Sequence, residues 1–61
     1  MSKEQLRQDI EDSYNYLMNA YEPTNHCIET TLSKCGFYQE QYGKDKSVNK
    51  MAEEIYNKFY H

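Results

Sequence analysis

The chain has 61 residues, with 10 acidic and 7 basic side chains and a formal net charge of -3 at neutral pH. That length lies near the lower limit for an autonomous core and excludes a multi-domain enzyme, a doubly wound sheet or a barrel. The basic residues are scattered along the chain rather than clustered, which argues against an extended phosphate-binding surface.

Leu6, Ile10, Tyr14, Leu17 and Tyr21 recur at helical spacing, with Met18 widening the stripe, and predict an amphipathic helix over about residues 3–21. Ser2 followed by Gln5 matches a capping box. Arg7, Gln8, Glu11, Asp12, Asn15 and Asn19 occupy the opposite, solvated side, and Glu4 with Arg7 forms an i,i+3 pair of opposite charge. Pro23 disfavours helical dihedrals at Glu22, so the helix is expected to stop near Tyr21.

A second helix is expected over residues 25–35. Thr24 or Asn25 would cap it, and Cys27, Ile28, Thr31, Leu32 and Cys35 would lie on its inner side. Lys34 in its last turn and Gly36 just beyond it read as stop signals. The competing reading is a strand, because Ile28, Thr30 and Leu32 also alternate and the two threonines are β-branched. Residues 27–42 would then form a short central hairpin in an α-β-β-α arrangement. The helical reading is preferred, since cap and stop both agree with it. Residues 36–46 are expected to form an aromatic loop in which Phe37, Tyr38 and Tyr42 either cover the core or bind a partner.

The third helix is expected over residues 47–60, capped by Asp45 or Ser47. Val48, Met51, Ala52, Ile55 and Phe59 form its apolar side, and Glu54 with Lys58 forms an i,i+4 pair. Tyr56 and Tyr60 flank that side. With Tyr14, Tyr21 and Phe59, they would form either an aromatic seam between the terminal helices or an outer contact stripe. The expected architecture is therefore all-α: a single domain over residues 1–61 built as a small three-helix bundle, with dimerisation as a further means of completing the core.

Leu, Ile, Val and Phe together number nine, about 15% of the chain, a fraction at which disorder must be considered. Seven Tyr and three Met supply further apolar area. Two consequences follow for the tyrosines. Either they replace missing aliphatics in the core, or they mark an interface, where aromatic residues are enriched.

The available metal ligands besides carboxylates are His26, Cys27, Cys35 and His61. On an intact helix Cys27 and Cys35 are roughly 12 Å apart, too far to share a zinc ion or a disulfide. No metal and no cofactor is expected, and the cysteines read as small buried hydrophobes. His26 adjoins Cys27 in sequence, a poor geometry for an activated nucleophile, and the neighbouring carboxylates Glu11–Asp12 and Glu53–Glu54 read as solubilising pairs. No glycine-rich phosphate loop, zinc-protease motif or calcium loop occurs, so no catalytic residue is assigned and no enzymatic activity is expected.

Residues 1–8 hold no apolar run of the secretory kind, and no stretch approaches the roughly 18 residues needed to span a bilayer. The expectation is a cytoplasmic chain with reduced thiols and no membrane partner. The functional expectation is a small acidic protein-binding module, an inhibitor or accessory factor that occludes a basic surface of a partner protein. Its expected contact residues are Asp9, Glu11, Asp12, Tyr38, Tyr42, Tyr56 and Tyr60. One alternative is a helix-turn-helix-like regulator contacting nucleic acid through the last helix, which the negative charge disfavours. The other is a homo-oligomeric structural protein, a homodimer in the simplest case.

Overall fold

A computed structural model describes residues 2–60. Three helices follow in chain order: α1 (Lys3–Asn19), α2 (Asn25–Tyr42) and α3 (Lys46–Phe59). Among the described residues there is no strand, so the chain is an all-α three-helix bundle and the central hairpin does not form. The Cα radius of gyration is 10.9 Å, against about 10.5 Å expected for a compact domain of this length.

The starts of the helices follow local chemistry. Ser2 Oγ accepts from the Gln5 N–H at 3.2 Å while Gln5 Oε1 accepts from the Ser2 N–H at 3.0 Å, completing the capping box on α1. Thr24, rather than Asn25, caps α2, its hydroxyl accepting from the Cys27 N–H. Asp45, rather than Ser47, caps α3 by accepting from the N–H groups of Ser47 at 2.9 Å and Val48 at 3.1 Å. In each case a short side-chain acceptor satisfies amides that the first helical turn leaves unpaired.

The ends depart from expectation. Helix α1 stops at Asn19, and Ala20 is already extended, two residues before the expected boundary. The chain bends away from α1 at residues 21–22, just before Pro23, and Tyr21, although in register with the apolar stripe, lies beyond the helix and is 95% exposed. Two carbonyls near the end of α1, those of Leu17 and Met18, accept from Lys58 Nζ of α3 at 3.1 and 2.8 Å. A cation there also complements the negative end of the helix dipole.

Helix α2 overruns its expected stop by seven residues, so most of the expected loop 36–46 is helix. Gly36 lies in the helix interior, and the break comes at Gly43, the one described residue with positive φ (+89°). Magnitudes explain the choice. A glycine inside a helix costs about 1 kcal/mol relative to alanine. Continuing the helix carries Tyr38 into the core at 1% exposure, and burying roughly 150–250 Å² of ring and stem is worth about 4–6 kcal/mol. Tyr38 extends the inner spacing Ile28, Thr31, Cys35 by one more step, so the helix continues.

The core forms two connected clusters. Leu6, Ile10, Cys35, Tyr38, Val48 and Met51 fill one, and Leu17, Ile28 and Ile55 fill the other; half-buried Tyr14 packs against both. Only one of the seven tyrosines, Tyr38, is fully buried. The aromatic rings therefore do not replace the aliphatics: seven of the nine buried hydrophobic residues are Leu, Ile, Val or Met, and three helices bring these few residues to one axis. Tyr21, Tyr56 and Tyr60 form no seam between the terminal helices; all three are exposed.

The expected pairs within each helix give way to contacts between helices. Arg7 approaches Asp45 at 3.8 Å, and Lys34 pairs with Asp9 at 2.9 Å. Glu54 accepts from the Tyr14 hydroxyl at 2.9 Å, and the contact pushes the Tyr14 phenol up from its ordinary value. Tyr38 donates to Asp45 at 3.4 Å. Asp45 thus joins the start of α3 to both α1 and α2.

The Val48 amide first, then the Ser47 amide, Arg7 and the Tyr38 hydroxyl, hold the Asp45 carboxyl below its usual range, outweighing the opposing effect of burial. A depressed folded-state pKa gives stability that is complete above the unfolded value, about 3.9, and is lost as pH falls through the folded value. Asp45→Asn keeps a capping acceptor but removes the charge. Urea titrations should show wild type more stable than Asp45→Asn at neutral pH, with the gap closing below about pH 4. A gap that stays constant down to acid would show that the charge contributes nothing.

Candidate functional site

The outer side of α1 carries Glu4, Gln8, Asp12, Asn15 and Asn19, all exposed, with Glu11 half-buried at its edge. Their exposure follows from the apolar stripe on the opposite side, which turns Leu6, Ile10 and Leu17 inward. Gln8 Nε2 donates to Asp12 Oδ1 at 3.0 Å. The ion pairs among the described residues engage Asp9 and Asp45, and none of them involves Glu4, Glu11 or Asp12.

Of the three acidic residues expected at a contact surface, Glu11 and Asp12 are therefore available. Asp9 is half-buried and tied to Lys34 across the α1–α2 junction, where it serves the fold. Among the expected rings, Tyr42, Tyr56 and Tyr60 are 40%, 53% and 49% exposed. Tyr56 and Tyr60 stack at a tilt with centroids 5.7 Å apart, as four-residue spacing on a helix allows. Tyr38 cannot be a contact residue: it is enclosed, because α2 continues past Gly36 and directs it inward.

Beside the acidic side runs a groove of about 320 Å³ between α1 and α2. Asp12, Ser13 and Tyr16 form one wall, and His26, Cys27, Thr30 and Lys34 lie along the other. The small side chains Ser13 and Thr30 leave this space, while Tyr16, 58% exposed, stands at its rim. Sequence reasoning overlooked Tyr16 and the groove. The available signal was the i,i+4 spacing of Asp12 and Tyr16, which sets a carboxylate and a ring side by side on a helix.

Within the groove, Thr31 donates to the Cys27 carbonyl at 2.8 Å, so its buried hydroxyl is satisfied. Cys27 is half-buried, whereas Cys35 lies in the core, where burial pushes its thiol up and keeps it neutral. Among the described residues no three His, Cys, Asp or Glu side chains gather as a metal site would require. His61, one of the four ligands considered above, lies outside the described residues. Among the described residues no helix is long and apolar enough to cross a membrane.

Neither a protein-family model, nor a curated protein, nor a solved structure matches the chain.

Proposed function

We propose that the chain is a non-catalytic protein-binding module that covers a basic surface of a partner with the acidic side of α1 and the Tyr16 rim beside it. The observation that supports this reading is the placement of the rings. Five of the seven tyrosines stand exposed around an aliphatic core, so filling the interior does not account for them. Tyrosine gives large contact area at small entropic cost and is enriched where proteins bind one another. Glu11 and Asp12, free of ion pairs among the described residues, supply charge to steer a basic partner into register.

The test begins with affinity capture from native extract and identification of what binds, followed by kinetics with two variants. Glu11→Lys combined with Asp12→Lys should slow association roughly tenfold at low salt, with a smaller change in dissociation. Tyr16→Ala should weaken the complex by about 5- to 30-fold, chiefly through faster dissociation. Both sites lie outside the core, so melting should stay within a few degrees of wild type. Unchanged kinetics in both variants would refute the proposal.

A further inference from the structure

The fold gathers cations that are far apart in sequence. Helices α1 and α3 both begin at the end of the bundle where α2 finishes, and Leu6, Tyr38 and Val48 share one core cluster there. Lys3, Arg7, Lys44, Lys46 and Lys50, five of the chain's seven basic residues, collect at this end with only three of its ten carboxylates, Glu4, Glu40 and Asp45. One of those three is already engaged, since Asp45 is bound by Arg7 and by the first amides of α3. Lys3, Lys44, Lys46 and Lys50 are all exposed.

An aromatic ring stands beside one of them, Lys3. Tyr42, on the last turn of α2, is 40% exposed. The Lys3 ammonium lies 5.8 Å from its ring centroid, and Lys44 follows two residues later. The rest of the chain is acidic, so this end is a local positive pole on a molecule of net charge -3. The positive ends of the α1 and α3 dipoles meet the negative end of the α2 dipole here, and Asp45 caps α3, so the dipoles leave only a small net positive contribution.

We propose that this end of the bundle binds a short stretch of single-stranded nucleic acid, with the four lysines on successive phosphates and a base against Tyr42. The ring distinguishes this occupant from an acidic protein surface, because every base has a face to stack and a carboxylate does not. Nothing in the arrangement reads sequence; affinity comes from counterion release and stacking. The proposal uses none of Glu11, Asp12 or Tyr16, and shares with the protein-binding reading only Tyr42, one of the five exposed rings.

The probe is a fluorescently labelled oligothymidylate of about 12 nucleotides, within the reach of a small stacking site, titrated with the full chain by anisotropy. Binding should be measurable at about 20 mM salt and fall about 600-fold by 200 mM, the slope expected for four phosphate contacts on a single strand. Lys44→Gln with Lys46→Gln should roughly halve that slope, and Tyr42→Leu should weaken binding by tenfold or more. Glu40→Gln should tighten binding, a gain that a damaged fold does not produce. No anisotropy change at low salt overturns the proposal, as does equal binding by wild type and the double-lysine variant. Equal affinity for duplex DNA that is indifferent to Tyr42→Leu overturns the single-strand assignment. Salt-sensitive self-association that disappears in the double-lysine variant, without oligonucleotide binding, assigns the surface to a second copy of the chain instead.

Discussion

Tyr38→Ala is expected to leave the chain largely unfolded in dilute buffer at room temperature. Tyr38 is the largest fully enclosed side chain, at 1% exposure. Truncating a buried aromatic to alanine costs about 3–5 kcal/mol through lost transfer energy and the remaining cavity. A core of this size supplies roughly 3–5 kcal/mol in total, so the substitution consumes the margin. Tyr38→Phe is the contrasting variant. It keeps the ring and loses only a long hydroxyl contact to Asp45 at 3.4 Å, which should cost no more than about 1 kcal/mol. Circular dichroism and urea unfolding distinguish the two. If Tyr38→Ala stays folded with a loss comparable to that of Tyr38→Phe, the ring is not part of the core.

The two glycines should respond to alanine with opposite signs. Gly43 adopts φ +89° and ψ 173° at the end of α2. A side chain rarely takes up that backbone region, and forcing one there costs about 1–3 kcal/mol. Gly36 is exposed in the helix interior, with nothing within 4 Å of where a Cβ would stand. Gly36→Ala should therefore stabilise the chain by about 0.5–1 kcal/mol, through both helix propensity and a less flexible unfolded state. For a domain this small that corresponds to a rise in melting temperature of roughly 2–8 °C. Loss of stability in Gly36→Ala, or tolerance of Gly43→Ala, would mean that α2 ends where Lys34 and Gly36 first suggested.

That suggestion shows where local signals fail. A basic residue followed by glycine is a sound helix stop, yet a stop signal weighs about 1 kcal/mol and the burial of Tyr38 weighs several times more. Helix α3 offered no such conflict: Val48, Met51 and Ile55 lie inward as their spacing requires, with Ala52 and Phe59 half-buried beside them. The candidate contact surface was legible to a similar degree. Glu11 and Asp12 were recognisable as solvated because the apolar stripe of α1 excludes them. The commitment of Asp9 to Lys34 was hidden, because the two residues meet only when α1 and α2 pack.

Tyrosine marks the limit of this kind of reading. A ring with a polar tip is stable half in water or fully enclosed, so hydropathy patterning does not rank Tyr38 against Tyr42. Their positions relative to the packed helices do: centroids only 5.3 Å apart separate a ring sealed in the core from one that is 40% exposed.

Periodicity and capping chemistry, which act over three or four residues, marked the first and last amphipathic helices, favoured a helix over a hairpin between them, and narrowed the caps of α2 and α3 to two residues each. Packing decided which ring is enclosed, which carboxylates are engaged, and that Lys3 and Arg7 share one end of the bundle with Lys44, Lys46 and Lys50. Those outcomes join residues far apart in sequence, Asp9 with Lys34 and Arg7 with Asp45, and their energies exist only once the helices have packed.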